Sequence, residues 1–289
     1  LNLDAAITLA DSLSVTKASN LGASVTTVGT QDFGTNNADL TTISADVTLT
    51  TTNANITMRS IDGAAGTEDL AFNTGDGEIT VEGDVTDITI LTLTDSGGAT
   101  FNGSVDATTV TITDLDTAGD NVIFNDTLTA TTLNVAAGNV AYDVELNGGG
   151  TITNAVTFSN TGILKIGNDT GDTMVFNGGF TATAQSALIF GGTIDTSNDA
   201  ITVGDSNTAS TLNSNTTFDT NGAATLTIDG DVAGAGNSLT LNSTGTTNIT
   251  TNATMTGLSS LTVSAGVTQI RSDITTTGNQ VYNGAVTYF

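Results

Sequence analysis

The stretch DLDTAGDN sets Asp114, Asp116 and Asp120 around Gly119. Calcium draws several oxygens from a flexible turn, and Asp-x-Asp followed by Gly-Asp is a fragment of that arrangement. The bidentate Glu that would close the loop is missing. GDGE (75–78), NDTGD (168–172) and IDGD (228–231) are comparable fragments, whereas the Gly-Gly-x-Gly-x-Asp core of calcium-binding nonapeptide repeats is absent. Asp also suits β corners for its turn chemistry alone. On that weighing no residue is assigned to a metal, and no cofactor is expected.

Catalysis finds less to work with. The chain has no His and no Cys, which removes the commonest general base, the thiolate nucleophile and the usual transition-metal ligands. Cleavage of an acidic polysaccharide would need a basic residue among the acids, but the only Arg residues are Arg59 and Arg271. Paired Asp side chains could serve as acid and base on a neutral glycan. With no Trp and only 4% aromatic residues, however, nothing marks out one pair as lining a cleft. The chain is therefore expected not to be an enzyme. Thr-x-Thr triplets at 48–50, 109–113, 151–153 and 225–227 could present hydroxyl arrays to ice, but their intervals are irregular. Sequons such as Asn55-Ile-Thr57 and Asn248-Ile-Thr250 arise by chance in so Thr-rich a chain.

Charge narrows the partners. The formal net charge is −26, with only Lys17, Arg59, Lys165 and Arg271 on the positive side. Four scattered cations cannot neutralise a run of phosphates, so nucleic acid is excluded, and an anionic membrane surface would repel the chain. No apolar run approaches the roughly 18–20 residues of a membrane span. The first residues, LNLDAAITLA, carry neither an initiating Met nor a basic leader. They read as a processed product or a piece of something longer.

These residues must be positioned by strands. ITVEGDVTDITILTLTD (79–95), ATLTIDGDV (224–232) and SLTLNSTG (238–245) place Val, Ile and Leu at mostly alternating positions among Thr and Asp. Thr is β-branched and favours the pleated backbone. Gly, Asn and Asp clusters such as DSGG (95–98), NGGG (147–150) and FNGG (176–179) punctuate the strands and tolerate tight corners. No segment carries a 3.6-residue apolar period with helix caps. Hydrophobic content of 37% and these alternating runs argue against disorder. The chain reads as all-β.

A repeat decides which kind. FNGSVDATTVTI starts at Phe101 and FNDTLTATTLNV at Phe124, so Val105, Val110 and Ile112 superpose on Leu128, Leu133 and Val135. Weaker copies start at Phe176 (FNGGFTAT, with Phe180 in the Val105 position) and at Tyr282 (YNGAV). A period of roughly 20–25 residues built from short strands and tight corners predicts a parallel β-helix, or β-solenoid, rather than an antiparallel sandwich. Each coil would lie about 4.8 Å above the last, with roughly 12 coils in the chain. Phe101 over Phe124 and Val110 over Leu133 would form inward rows, and Asn102 over Asn125 a corner amide stack.

The segment ITTTGNQVYNGAVT (274–287), together with the two Phe-Asn copies, resembles a recurring element of large bacterial surface proteins with β-strand repeats. These are similar to filamentous-haemagglutinin and autotransporter-passenger solenoids. The resemblance covers most of residues 70–289 and implies a secreted, cell-surface, right-handed β-helix used in adhesion or envelope architecture. Its motif is a packing motif and brings no catalytic residue with it.

The expected domain is one elongated solenoid over residues 1–289, with 1–69 less regular, as a cap or assembly region. Both LNLDAAITL at the start and QVYNGAVTYF at the end read as strands without polar caps, so self-association by strand-edge stacking is expected. The function expected is a non-catalytic structural subunit or segment of an extracellular bacterial fibre or surface protein. Alternatives are an adhesin passenger binding a host or cell-surface ligand, and a calcium-stabilised envelope or S-layer component.

Overall fold

The computed structural model describes all 289 residues, and every one of its strands lies in parallel pairings. There is no helix, hence none long and apolar enough to cross a membrane. A lone antiparallel bridge, Asp205 with Thr208, sits in a turn. The protein is a β-solenoid of stacked coils, and the chain divides into two compact units, Leu1–Glu145 and Leu146–Phe289.

In the first unit the early coils each contribute three short strands to three ladders, two of which later coils serve with one long strand. One ladder runs through Asn2–Leu3, Ser19–Leu21, Thr41–Ile43 and Ile61–Gly63. It continues into the opening residues of Val85–Asp95, Val105–Ile112 and Leu128–Val135. A second passes through Ile7–Leu9, Val25–Thr27, Val47–Thr50 and Glu68–Asn73 into the later residues of the same long strands. The third holds Leu13–Val15, Gln31–Phe33, Ile56–Met58, Ile79–Val81, Ala99–Phe101 and Asn121–Phe124. Residues 1–69 thus supply strands to the same ladders as their successors.

The second unit repeats the plan. Gly150–Ile152 and Thr173–Phe176 open one ladder, Val156–Phe158, Phe180–Ala182, Ile201–Val203 and Leu226–Ile228 form another, and Ile163–Ile166 opens the third. The long strands Ala187–Asp195, Ser210–Asp219, Ser238–Ile249 and Ser260–Ile270 each bend to serve two ladders.

Alternation explains the core. Along each strand one residue in two points inward, and stacked coils bring like onto like. Ile56 lies under Ile79, Leu70 under Leu91, and Val105 under Leu128, all of them buried. Phe101 stacks on Phe124 with ring centroids 5.0 Å apart and planes 6° from parallel. Such a pair adds about 0.5–1.5 kcal/mol beyond its buried area. In the second unit Phe158, Phe176, Phe180, Phe190 and Phe218 form a linked aromatic cluster.

The predicted repeat holds in detail. Phe101, Val105, Val110 and Ile112 pair with Phe124, Leu128, Leu133 and Val135. At the corner the Asn125 amide donates to the Asn102 side-chain carbonyl at 2.9 Å. Phe176 and Phe180 end and begin successive strands across a turn, as Phe101 and Val105 do.

Corners are close-packed between coils. Gly149 has φ +77°, and a Cβ there would lie 2.3 Å from the Thr173 carbonyl oxygen of the next coil. Only glycine meets both the conformation and the contact.

Candidate functional site

A group of interacting ionisable side chains lies in the first unit, at the corner that follows the second ladder. Asp76 occupies the turn after Glu68–Asn73, Asp95 closes Val85–Asp95, and Asp114, Asp116 and Asp120 belong to the excursion after Val105–Ile112. Stacking brings these positions together: Asn73 pairs with Asp95, and the Asp116 amide donates to the Ser96 carbonyl at 2.9 Å.

Mutual repulsion helps to raise the pKa of two of them, Asp76 and Asp95. A hydrogen bond shared with the Asp116 carboxyl raises the Asp76 pKa above the ordinary carboxylate value. Repulsion from Asp116, partial desolvation, and the charges of Asp95 and Asp120 add to that rise. Burial raises Asp95, reinforced by Asp116 and Asp114. Such a neighbour as Asp116 favours the protonated form of Asp76.

The three Asp residues of DLDTAGDN do not converge. Asp114 Oδ1 accepts from the amides of Leu115 (3.0 Å) and Asn139 (2.8 Å), and the Asn139 side chain donates to Oδ2. Asp120 Oδ2 accepts from the Thr117 amide at 2.8 Å, closing its own turn. Asp116 takes the Thr117 hydroxyl at 3.1 Å and faces Asp76. No group of three or more acidic side chains is arranged to hold a metal ion.

The other fragments are absorbed in the same way. Asp172 Oδ2 accepts from the amides of Asn168 (2.7 Å) and Asp169 (2.9 Å), while Asp169 Oδ1 accepts from Gly171 at 2.6 Å. Asp229 takes the Thr250 hydroxyl and the Asn252 amide, and Asp231 the Thr254 backbone amide at 3.0 Å. In GDGE the Asp76 carboxylate accepts from the Asn53 amide at 2.9 Å. The Arg residues stand apart from these acids: Arg59 meets Glu82 at 3.7 Å, and Arg271 lies over the Phe289 ring at 4.2 Å.

Two sets of buried polar residues escape the sequence reading. At corner after corner an inward Thr hydroxyl donates to a carbonyl two or three residues ahead. Thr27 reaches Gly29 (2.5 Å), Thr74 reaches Gly77 (2.6 Å), and Thr220 reaches Gly222 (3.0 Å). Thr196 reaches Asp199 at 2.6 Å, and Thr51 bonds Ala54 in the same manner. The recurring Thr-x-Gly and Thr-x-x-Gly spacing was the available signal. The second set is two buried glutamines. Gln31 donates to the carbonyls of Val25 (3.3 Å) and Thr50 (2.9 Å), and Gln185 to those of Phe158 and Asn160 (both 2.9 Å). Each plugs a place where the backbone leaves regular pairing.

Apart from the facing Asp76 and Asp116, the acids of these fragments are thus occupied with holding turns and corners. No family model matches the chain, and neither does any curated protein or solved structure.

Proposed function

We propose that the chain is a non-catalytic structural subunit or segment of an extracellular bacterial β-solenoid fibre or surface protein, continued by stacking at its strand edges. The supporting observation is the division of labour among side chains. Apolar residues stack in register from coil to coil, and the carboxylates of the acidic fragments are bonded within turns or to a neighbouring coil, or face one another. A scaffold of this kind works mechanically: ladder hydrogen bonds and buried rows resist bending, and the −26 charge discourages indiscriminate aggregation.

Gold-labelled antibody on intact cells of the source organism tests this reading. Labelling of the outer surface, and loss of an ordered surface structure when the gene is removed, are expected. An exclusively cytoplasmic protein would overturn the proposal.

A further inference from the structure

One buried carboxylate of the first unit lies outside the acidic fragments, at the corner that follows the third ladder. Asp39 is 7% exposed, beneath a strap of exposed residues, 35–38, that carries the chain from Gln31–Phe33 to Thr41–Ile43. A single oxygen, Asp39 Oδ2, gathers the strap. It accepts from the backbone amides of Thr35 (2.8 Å) and Asn36 (3.1 Å), the Thr35 hydroxyl (3.0 Å) and the Asn36 side-chain amide (2.7 Å). The Asp39 amide in turn donates to the Asn36 carbonyl at 2.9 Å. Gly34 permits the sharp departure from the strand: its φ is +83°, and a Cβ there would lie 2.8 Å from both the Arg59 Cγ and the Asp39 Cβ.

The strap touches more than its own coil. In the coil before, the Val15 carbonyl accepts from the Gly34 amide at 2.7 Å. In the coil after, Ser60 Oγ donates to the Asn37 carbonyl at 3.1 Å. One coil further, the Asn37 side-chain amide reaches the Glu82 carbonyl at 3.5 Å. The corner thus spans the coils of Leu13–Val15, Gln31–Phe33, Ile56–Met58 and Ile79–Val81, which stack in that order. The charged groups around Asp39 come from the same neighbours. Lys17 acts on it from the coil before, and Arg59, in the coil after, turns its guanidinium to the Glu82 carboxylate at 3.7 Å.

We propose that Asp39 is an acid-released latch: as a carboxylate it fastens the 35–38 strap across these coils, and its protonation frees the strap while the ladders stay intact. Hydrogen bonds to an ionised acceptor are about twice as strong as neutral ones, and a protonated carboxyl gives up part of its accepting capacity to its own O–H. The Thr35 amide, helped by the Thr35 hydroxyl, the Asn36 amide and the Lys17 charge, holds the Asp39 pKa below its ordinary 3.8 against the opposing effect of burial. The latch is therefore complete above 3.8 and is lost as pH falls through the lower folded value. The strap's bonds to Ser60 and to the Glu82 carbonyl are single neutral contacts, so they do not hold it once the carboxylate is gone. The latch concerns a motion of one corner and stands whatever the scaffold is used for.

Amide hydrogen exchange of the 289-residue chain, read residue by residue by NMR and corrected for its intrinsic pH dependence, tests this from about pH 6 to about pH 2, across the carboxylate range. Protection at the Thr35 and Asn36 amides is expected to fall by about tenfold or more on acidification, the equivalent of one charge-assisted hydrogen bond. The Gln31 and Thr41 amides, which open the flanking strands and bond the Asn55 and Ser60 carbonyls, should keep theirs. Asp39→Asn should lower protection at Thr35 and Asn36 already at about pH 6 and flatten their profile. Glu68, buried in the same unit, has a pKa lowered chiefly by the Thr67 amide, and this variant separates the strap from that corner. Should the variant fail to fold, the parent's own profile decides. Protection at Thr35 and Asn36 that holds down to about pH 2, or that vanishes only together with Gln31 and Thr41, would overturn the proposal. So would a folded Asp39→Asn variant with the parent's profile.

Discussion

Thr247 and Thr268 are register partners on Ser238–Ile249 and Ser260–Ile270, facing inward between Leu226 and Val286. They are 0% and 1% exposed, and neither hydroxyl meets a hydrogen-bond partner. A buried donor without a partner forfeits about 1–3 kcal/mol of solvation, and Val matches Thr closely in shape. Thr247→Val and Thr268→Val should therefore each stabilise the fold by about 1 kcal/mol, the low end of that range. For a domain of this size that is a rise of about 2 °C in melting temperature. The pair are neighbours, so the double variant need not equal the sum. Thermal and urea melts followed by circular dichroism measure the change. Hydrogen exchange at Asn248 and Gln269 localises it, since solenoids can open in parts. A loss of 1 kcal/mol or more from either single substitution would refute the reasoning, because it would show the hydroxyl to be bonded in the folded state.

Two further predictions concern the polar interior and the acidic corner. Gln31 is fully buried and bonds the Val25 and Thr50 carbonyls, so Gln31→Leu should cost about 1–3 kcal/mol in a urea melt, despite its greater hydrophobicity. A melt indistinguishable from the parent would contradict that assignment. The folded Asp76 pKa is raised, so its protonated form favours folding; that contribution is complete below the unfolded value of 3.8 and lost as pH rises through the folded value. Asp76→Asn should accordingly melt above the parent at neutral pH, and the gap should narrow on acidification through the carboxylate range. A gap that widens toward acid would reverse the sign and refute it.

Sequence and structure agree where identical chemistry is stacked. Phe101 and Phe124 share a row, so the row demands the same residue type twice, and the repeat shows in the sequence. The Asn102–Asn125 stack was legible for the same reason. The Asp76–Asp116 contact was not legible. It joins residues of different coils, and the varying coil length hides which corners coincide. Asp114, Asp116 and Asp120 lie close in sequence, yet neighbouring backbone amides draw Asp114 and Asp120 into separate turns.

The coil itself is the central claim, and excising one tests it most directly. Deleting residues 102–124 sets Asn125 where Asn102 stood and lays Leu128 on Val85 and Leu133 on Leu91, preserving every row. It also removes Asp114, Asp116 and Asp120. Deleting only residues 102–112 breaks the register and turns inward residues outward. Melting of both variants by circular dichroism should show the longer deletion folded and cooperative, and the shorter one largely unfolded. A longer deletion that fails to fold while the shorter one melts like the parent would contradict the account.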